Sequence, residues 1–312
     1  MPEELKLNKP WLVAVWPGMG HVAISAGYFL MAKLGMHVLA EFSPRGLFEV
    51  DHIEIKKGLI HTGRLPRSRF FVWRNPGGDH DVVVFIGEAQ PPSGKYAFCQ
   101  KLIEFAQGLG VERVFTFGAM ATQMHPAEPS RVFAAATEAK SLDELKRLEV
   151  NVLEEGNISG LNGVLLGVAA DHGLTGCSVL GEMPHIFAQL PFPKAALAVL
   201  EVFTKFAGIT LDFAELKEQS DQMEHQLGEV LAKVEQAMAD QAGEDADGDE
   251  EEETFPPPEP RLSPEDEARV ERLFDQAREN RSKAYELKGL LDKLDVFKDY
   301  EDRFLDLFKK PG

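Results

Sequence analysis

The stretch "VAVWPGMGHVAISAGYFL", from Val13 to Leu30, decides the expected fold. A run of β-forming residues reaches Pro17, two glycines follow at positions 18 and 20, and an apolar helical segment continues to Leu30. A strand that passes through a glycine turn into a helix is typical of the first unit of an α/β sheet. Such a turn points backbone N–H groups and the positive end of the helix at whatever lies above it. The stretch therefore predicts an α/β domain with a possible contact site at Gly18 and Gly20.

Strand-like and helix-like segments alternate through the first two-thirds of the chain. Short segments that are apolar on both faces predict strands covered on both sides: Leu12–Val15, Val38–Phe42, Phe70–Trp73, Val82–Ile86 and Val114–Phe117. Longer segments predict helices: His21–Leu34, Tyr96–Leu109, Gly160–His172 and Lys194–Phe206. The turn sequence "RNPGGDH" (residues 74–80) favours a hairpin between its flanking strands. We expect a three-layer α/β/α core domain with a mixed sheet over residues 1–211.

The last hundred residues follow a different pattern. Apolar residues recur at heptad spacing in 212–239 and again in 264–294, where Asn280 is a polar exception. We expect two long helices, with the C-terminal segment 263–312 packing on 212–239 as an antiparallel hairpin. Between them, residues 240–259 hold ten acidic residues and no Lys or Arg. Such a composition is typical of disordered chain, so 240–262 is expected to be an acidic disordered linker.

Composition excludes several classes of protein. The net charge of −18 argues against a general nucleic-acid-binding protein. No apolar run reaches the ~18 residues that a membrane span needs. The two cysteines, Cys99 and Cys177, form no CxxC pair, and the histidines are scattered, so neither a disulfide framework nor a metal site is indicated. We expect a cytoplasmic protein without a metal, a cofactor or a membrane anchor.

The opening turn admits a dinucleotide-binding interpretation. Gly18, Gly20 and Ala23 match a G-x-G-x-x-A pattern, and Glu41 follows where an acid could bind a ribose hydroxyl. Against this, Pro17 removes a backbone donor at the start of the loop. A second glycine segment, "GEAQPPSGKY" (87–96), has the wrong spacing for a P-loop and lacks the Ser or Thr that would hold magnesium.

No set of residues indicates nucleophilic catalysis. The Asp171-His172 pair lies at a predicted helix end, where a capping histidine is common. Four arginines (Arg64, Arg67, Arg69 and Arg74) could bind an anion or pair with the acidic linker, although a solvated surface is the simpler interpretation. The most distinctive stretch is "EGNISGLNGVLLG" (155–167), whose glycines permit close backbone contact and whose asparagines can cap a helix.

Several of these segments resemble, in order, the proteasome assembly chaperone 2 family: "WPGMGHVAISAGYFLMAKLG", "FIGEAQPPSGKY", "FGAM", "GNISGLNGVLLG", "GEMP" and "PFPKAALAVLEVF". The resemblance spans about residues 10–215, and some bacterial and archaeal members carry a loose ATP-grasp label. It implies a core like that of purine nucleoside phosphorylases, a tendency to form trimers, and no known set of catalytic residues. Some members engage the proteasome through a C-terminal hydrophobic-Tyr-any sequence, which differs from the Lys310-Pro311-Gly312 ending here.

The resemblance favours a non-enzymatic, oligomeric protein-interaction or assembly-chaperone-like protein, with a homotrimer and an unidentified protein partner. A nucleoside- or nucleotide-binding protein or enzyme with a phosphorylase-like pocket is the alternative, and a dinucleotide-binding protein is the second alternative. Either role would use the loops expected at the strand ends, where they form a ligand pocket or a protein interface. The residues of these loops are Gly18, Gly20, Gly87, Glu88, Gly118, Asn157, Gly160, Asn162, Gly163 and Glu182.

Overall fold

The computed structural model describes residues 6–42, 46–48, 53–56, 58–62, 64–241 and 262–309. In this part of the chain, eight strands form one sheet: β1 (Trp11–Val15), β2 (His37–Phe42), β5 (Ser68–Trp73), β6 (Val82–Gly87), β7 (Arg113–Thr122), β8 (Val132–Ala136), β9 (Asn151–Val152) and β10 (Thr175–Pro184). A separate hairpin consists of β3 (Ile53–Lys56) and β4 (Leu59–Thr62). The strand order across the sheet is β2-β5-β6-β1-β7-β10-β8-β9.

Four adjacent strands in the middle of the sheet, β6, β1, β7 and β10, run parallel. Their carboxyl ends therefore meet at one edge, called the carboxyl edge below. On one side β5 pairs antiparallel with β6, with Phe70 opposite Phe85, which confirms the predicted hairpin. On the other side β8 pairs antiparallel with β10, so the sheet is mixed as expected.

Helices cover both faces of the sheet, which confirms the three-layer α/β/α prediction. The helices are α1 (Val22–Lys33), α2 (Lys95–Gly108), α3 (Ala139–Lys146), α4 (Gly160–Asp171), α5 (Pro193–Ala207), α6 (Ala214–Gln241), α7 (Pro264–Glu279), α8 (Ala284–Lys293) and α9 (Phe297–Asp306). Residues of α1 and α5 contribute to the apolar core on one face, and residues of α2 and α4 to the core on the other. None of the helices in the described ranges is long and apolar enough to cross a bilayer.

The first strand shows why its sequence has no alternation of apolar and polar residues. Val13 and Val15 point into the core beside α1, whereas Leu12, Ala14 and Trp16 belong to the core beside α2. All five side chains are buried. Because both faces are covered, every position of the strand is apolar.

Several elements were not predicted. Between the predicted strands Val38–Phe42 and Phe70–Trp73, the structure has the β3–β4 hairpin and the start of β5. The ten-residue strand β10 was missed because two glycines and a carboxylate interrupt its β-forming pattern. One of these glycines, Gly181, lies against α5: an added Cβ would fall 2.5 Å from the Ala195 carbonyl oxygen.

The prediction of one continuous helix over 264–294 is wrong. The helix begins as expected, with Ser263 Oγ accepting a hydrogen bond from the Asp266 N–H (3.1 Å). It ends at Asn280, whose backbone is extended (φ −135°, ψ 103°), and α8 begins after a short 3₁₀ turn. The Asn280 side chain accepts a hydrogen bond from the Ser282 N–H (3.1 Å). The polar residue in the heptad pattern therefore ends one helix and caps the next turn.

The C-terminal helices make contacts with both the core domain and α6. Tyr28 of α1 donates a hydrogen bond to Glu301 of α9 (3.0 Å). Tyr285 of α8 packs edge-on against the Phe29 ring of α1 and donates to Gln219 of α6 (2.9 Å). The assignment of 212–239 and 263–312 as a unit apart from the 1–211 domain stays a prediction. Most of the expected acidic linker, residues 242–261, lies outside the described residues.

Candidate functional site

The opening turn lies at the carboxyl edge, between β1 and α1. Gly18 is extended (φ −169°), a conformation open to any residue. Gly20 has φ +60°, and an added Cβ would fall 2.6 Å from the Met183 sulfur of β10. Only a glycine fits here without strain, because the position combines a left-handed backbone with a close side-chain contact.

Two backbone donors of this turn already have partners in the chain. The Gly20 N–H donates to the Ala188 carbonyl (2.8 Å), and the His21 N–H donates to the Gly18 carbonyl (3.0 Å). Glu41 lies on β2, which two strands separate from β1, and its carboxylate faces Arg69 (3.6 Å). A dinucleotide would need those donors and an acid on the neighbouring strand. The geometry therefore opposes the dinucleotide-binding interpretation.

The glycine–asparagine loop also makes internal contacts. Asn162 Nδ2 donates to the Phe117 carbonyl of β7 (2.8 Å). A Cβ added at Gly118 would lie 3.0 Å from that same amide nitrogen, and one at Gly163 would lie 1.9 Å from the Ile158 carbonyl oxygen. Asn157, by contrast, is exposed. The loop and β7 thus approach each other closely where a ligand pocket was considered.

A glutamine that sequence reasoning missed connects this loop to the opening turn. Gln90 Oε1 accepts a hydrogen bond from the Leu161 N–H (3.2 Å), and Gln90 Nε2 donates to the Pro17 carbonyl (3.5 Å). Gly160 has φ +70° and lies beside the same side chain. A lone glutamine in a loop carries no sequence pattern that would have indicated this role.

Glu88 follows β6 at one end of the carboxyl edge. Its buried carboxylate accepts hydrogen bonds from Arg64 Nη1 (2.7 Å) and from the Arg67 N–H (2.8 Å). The other oxygen, Oε1, is buried without a hydrogen-bond partner among the described residues. The neighbouring Gly87 leaves room for the Trp16 indole, since an added Cβ would lie 2.5 Å from that ring.

The predicted arginine cluster pairs with the C-terminal helix α9. Arg67 and Arg69 donate to Asp302 (3.1 and 2.9 Å), and Arg64 lies 3.7 Å from the same carboxylate. Burial opposes ionisation of Asp302, but the hydrogen bonds from Arg67 and Arg69 and the charge of Arg64 outweigh it, so the Asp302 pKa is lowered. These three arginines therefore attach α9 to the core domain.

Glu182 lies on β10, at the other end of the carboxyl edge. Arg131 Nε donates to its carboxylate (2.7 Å), and Thr122 Oγ1 donates to it as well (2.8 Å). The hydrogen bond from Arg131 is the main cause that lowers the Glu182 pKa despite burial. The strands β1 and β7 separate β6 from β10, so Glu88 and Glu182 are about 14 Å apart across the sheet. They do not form one site.

The other candidate groups show no catalytic arrangement. Asp171 accepts a hydrogen bond from Tyr96 (3.4 Å), and the His172 carbonyl accepts one from Gln107 (3.1 Å), as expected for a helix end. Burial raises the pKa of Cys99 to about 12 and that of Cys177 to about 11. The described residues include no cluster of three His, Cys, Asp or Glu side chains that could hold a metal ion.

Large apolar side chains are exposed above the opening turn. Met19, Ile186 and Leu190 are each about half exposed (47, 54 and 44%). The Gly20 N–H donates to the Ala188 carbonyl, and the Gly20 carbonyl accepts a hydrogen bond from the Phe192 N–H (2.9 Å). The loop that carries Met19 and the loop that carries Ile186 and Leu190 therefore lie together. We call Met19, Ile186 and Leu190 the turn patch. Contiguous exposed apolar patches on a protein surface are common at contact sites for other proteins.

A cleft of about 880 Å³ separates α6 from α7 and α8. Its walls include Gln222 and Met223 of α6, Arg269 of α7 and Lys288 of α8. Lys288 is buried and pairs with Asp292 (2.5 Å). The cleft is lined by charges of both signs together with amide and apolar groups, and this mixture does not indicate one ligand class.

The model of the PAC2 family matches residues 12–231. The chain belongs to the PAC2 family. The matched residues include the sheet, apart from Trp11, and most of α6, while α7 to α9 of this PAC2 protein lie beyond them.

Relatives of this PAC2 protein are archaeal and bacterial. It is 27% identical over 240 residues to an uncharacterized protein of Methanocaldococcus jannaschii, covering 74% of this chain and 86% of the relative. The structure of Pyrococcus furiosus PbaB, described as an archaeal proteasome activator, has 29% identity and a TM-score of 0.62, covering 75% of this chain and 96% of PbaB. A Mycobacterium tuberculosis proteasome-assembly chaperone homologue has the same fold, with 23% identity, coverages of 72 and 95%, and a TM-score of 0.62.

Proposed function

We propose that this PAC2 protein is a non-enzymatic protein-interaction factor with an assembly-chaperone-like role. It acts in the cytoplasm as a homo-oligomer, for which the family resemblance favours a trimer, and it binds a protein partner through the turn patch. The observation that carries the proposal is which groups of the carboxyl edge already have contacts within the chain and which are exposed. Its glycines contact the chain's own atoms at Met183, Asn162 and Ile158, whereas Met19, Ile186 and Leu190 are exposed.

The carboxyl edge is where α/β enzymes of this architecture bind small ligands. Here the Gly20 and His21 N–H groups of the opening turn already donate to carbonyls of the chain, and each of the two buried carboxylates pairs with an arginine. The exposed side chains at this edge, those of the turn patch, are apolar. The description of PbaB as an archaeal proteasome activator supports a proteasome-type partner for this chain.

The test compares binding to purified archaeal proteasome core particles by surface plasmon resonance. The variant Met19→Asp/Ile186→Asp/Leu190→Asp should bind at least about tenfold more weakly, because charged side chains would have to be desolvated in the interface. Val230→Asp is the matched control, since Val230 is as exposed (46%) but lies on α6. Equal binding by both variants, or no binding by the wild-type chain, would contradict the proposal. Light scattering of the wild-type chain measures the expected trimer.

One observation favours the small-molecule alternative: Glu88 Oε1 and Trp16 Nε1 are both buried without a described hydrogen-bond partner. A ligand could satisfy these atoms. Thermal shift against a panel of nucleosides and nucleotides decides between the two functions. The interaction proposal expects no shift with any compound. A shift that disappears in Glu88→Ala or Asn157→Ala, with oligomer size unchanged, would establish the alternative.

A further inference from the structure

The cleft between α6 and the helices α7 and α8 combines an apolar floor with a polar rim. The floor consists of buried and partly buried side chains: Met223, Leu273, Tyr285 and Leu290. The rim consists of exposed polar side chains: Gln222, Gln226, Arg269 and Lys293. An apolar centre inside a polar rim is the usual anatomy of a protein–protein interface. A polypeptide carries apolar, amide and charged groups in one molecule, so it fits this mixed lining better than a single class of small compound.

The charges of the cleft leave an excess of unpaired positive charge. Three of its acids pair with lysines of the chain: Glu215 with Lys33 (2.8 Å), Glu286 with Lys283 (2.7 Å) and Asp292 with Lys288 (2.5 Å). Arg269 and Lys293 form no ion pair within the described ranges. Glu218 is not in an ion pair there either, and its carboxylate accepts a hydrogen bond from Gln222 (3.3 Å). Two unpaired cations against one such carboxylate favour an occupant that carries acidic side chains.

The cleft is continuous with the turn patch. Pro191 lines the cleft and directly follows Leu190 of the patch in the chain. Ser25 also lines the cleft, and it lies near the start of α1, which begins three residues after Met19 of the patch. A protein that covers the turn patch is therefore placed at the mouth of the cleft.

We propose that the cleft binds a segment of the same protein partner that covers the turn patch, and that this segment contains both apolar and acidic residues. The inference rests on the proposed function. Apolar side chains of the segment lie on Met223, Leu273 and Leu290, and its acidic side chains lie beside Arg269 and Lys293. Charge pairs at the rim of an interface mainly increase the association rate and select the partner.

The position of the cleft gives it a role in partner choice. Its walls on α7 and α8 lie beyond the residues that the PAC2 model matches, whereas the turn patch lies within them. The turn patch thus supplies a contact from the matched part of the chain, and the cleft adds a second contact that depends on the C-terminal helices. A partner without an acidic segment near the patch loses that second contact.

Charge reversal at the rim tests the inference by surface plasmon resonance on purified archaeal proteasome core particles. At low salt, Arg269→Glu/Lys293→Glu should associate about tenfold more slowly than the wild-type chain. The difference should disappear at about 1 M salt, where the screening length falls to about 3 Å. Arg272→Glu/Arg278→Glu is the matched control: it changes the net charge equally at two exposed positions of α7 outside the cleft lining. The control should associate within about twofold of the wild-type rate.

The outcomes separate this inference from the proposed function. Equal association rates for the cleft variant and its control would overturn the inference alone, provided that the wild-type chain binds and the turn-patch variant does not. No binding by the wild-type chain would contradict both proposals.

Photo-cross-linking of the full chain in complex with the core particles identifies the occupant. A p-benzoylphenylalanine at Gln226 should cross-link to the partner at least about tenfold more than one at Asp221, which is exposed on the same helix outside this cleft. Mass spectrometry should place the cross-link in a partner segment with both acidic and apolar residues. Equal yields at the two positions, or a cross-link to a basic segment, would refute the proposal. A cross-link from Gln226 to residues 242–261 of the chain itself would also refute it.

Discussion

Replacing Gly163 by alanine should destabilise the protein, although alanine is the better helix former. Gly163 lies in the first turns of α4, and the added Cβ would fall 1.9 Å from the Ile158 carbonyl oxygen. Real Cβ contacts are essentially never shorter than 3.0 Å, so the loop and the helix must separate by about 1 Å. Overpacking against backbone, which cannot rotate away, costs about 3 kcal/mol. The helix preference for alanine returns about 1 kcal/mol. The net loss should be about 2 kcal/mol.

The matched control is Gly167→Ala, one turn further along the same helix. An added Cβ at Gly167 meets no atom within 4 Å, so only the helix preference remains, and this variant should gain about 1 kcal/mol. Thermal unfolding followed by far-ultraviolet circular dichroism should show a Tm about 4–8 °C lower for Gly163→Ala and about 2–4 °C higher for Gly167→Ala. An equal rise in both variants would refute the close packing of the glycine–asparagine loop on α4.

Three further variants probe the ion pairs and the strand ends. Asp302→Asn should lower the free energy of unfolding in urea by about 1 kcal/mol, a small value because Asp302 is partly exposed. Because the folded pKa of Asp302 is lowered, its stabilising contribution in the wild type is present above about pH 4 and is lost as pH falls through the folded pKa. Glu182→Gln should destabilise the protein, because the hydrogen bond from the exposed Arg131 to this buried carboxylate loses its charge, and its pH dependence has the same sign. A variant as acid-sensitive as the wild type would contradict either assignment. Gly87→Ala should cost about 1–3 kcal/mol and change the Trp16 fluorescence, because the added Cβ overlaps the indole; an unchanged emission spectrum would argue against that contact.

The parts of the fold that the sequence could predict are those whose local pattern agrees with their tertiary environment. The strand at residues 11–15 is apolar throughout because helices cover both faces, and that signal is visible in one dimension. In the strand β10, by contrast, the local pattern disagrees with the tertiary environment. Gly176 and Gly181 weaken its local β-forming preference, yet both are needed because Leu166 and Ala195 pack directly against them. Tertiary contact overrides propensity there, and a single sequence does not show it.

At the candidate site, the sequence identified the special residues but not what they contact. Gly20 and Gly163 were recognised as positions of close approach, which the Met183 sulfur and the Ile158 carbonyl now explain. That the approaching groups belong to the same chain depends on strand order, which sequence spacing does not specify. The role of Gln90 had no signal, because one glutamine in a loop forms no pattern.

The internal contacts of the carboxyl edge explain why its apolar surface suits a protein partner. Hydrogen bonds from Gly20 to Ala188 and from Phe192 to Gly20 fix the two loops that carry Met19, Ile186 and Leu190. A partner that binds there does not need to order these loops, so the entropy cost of association is lower than for a mobile surface. The first of these bonds also occupies the Gly20 N–H, one of the donors that a phosphate at this turn would use. The fixed position of the two loops thus supports the proposed protein partner.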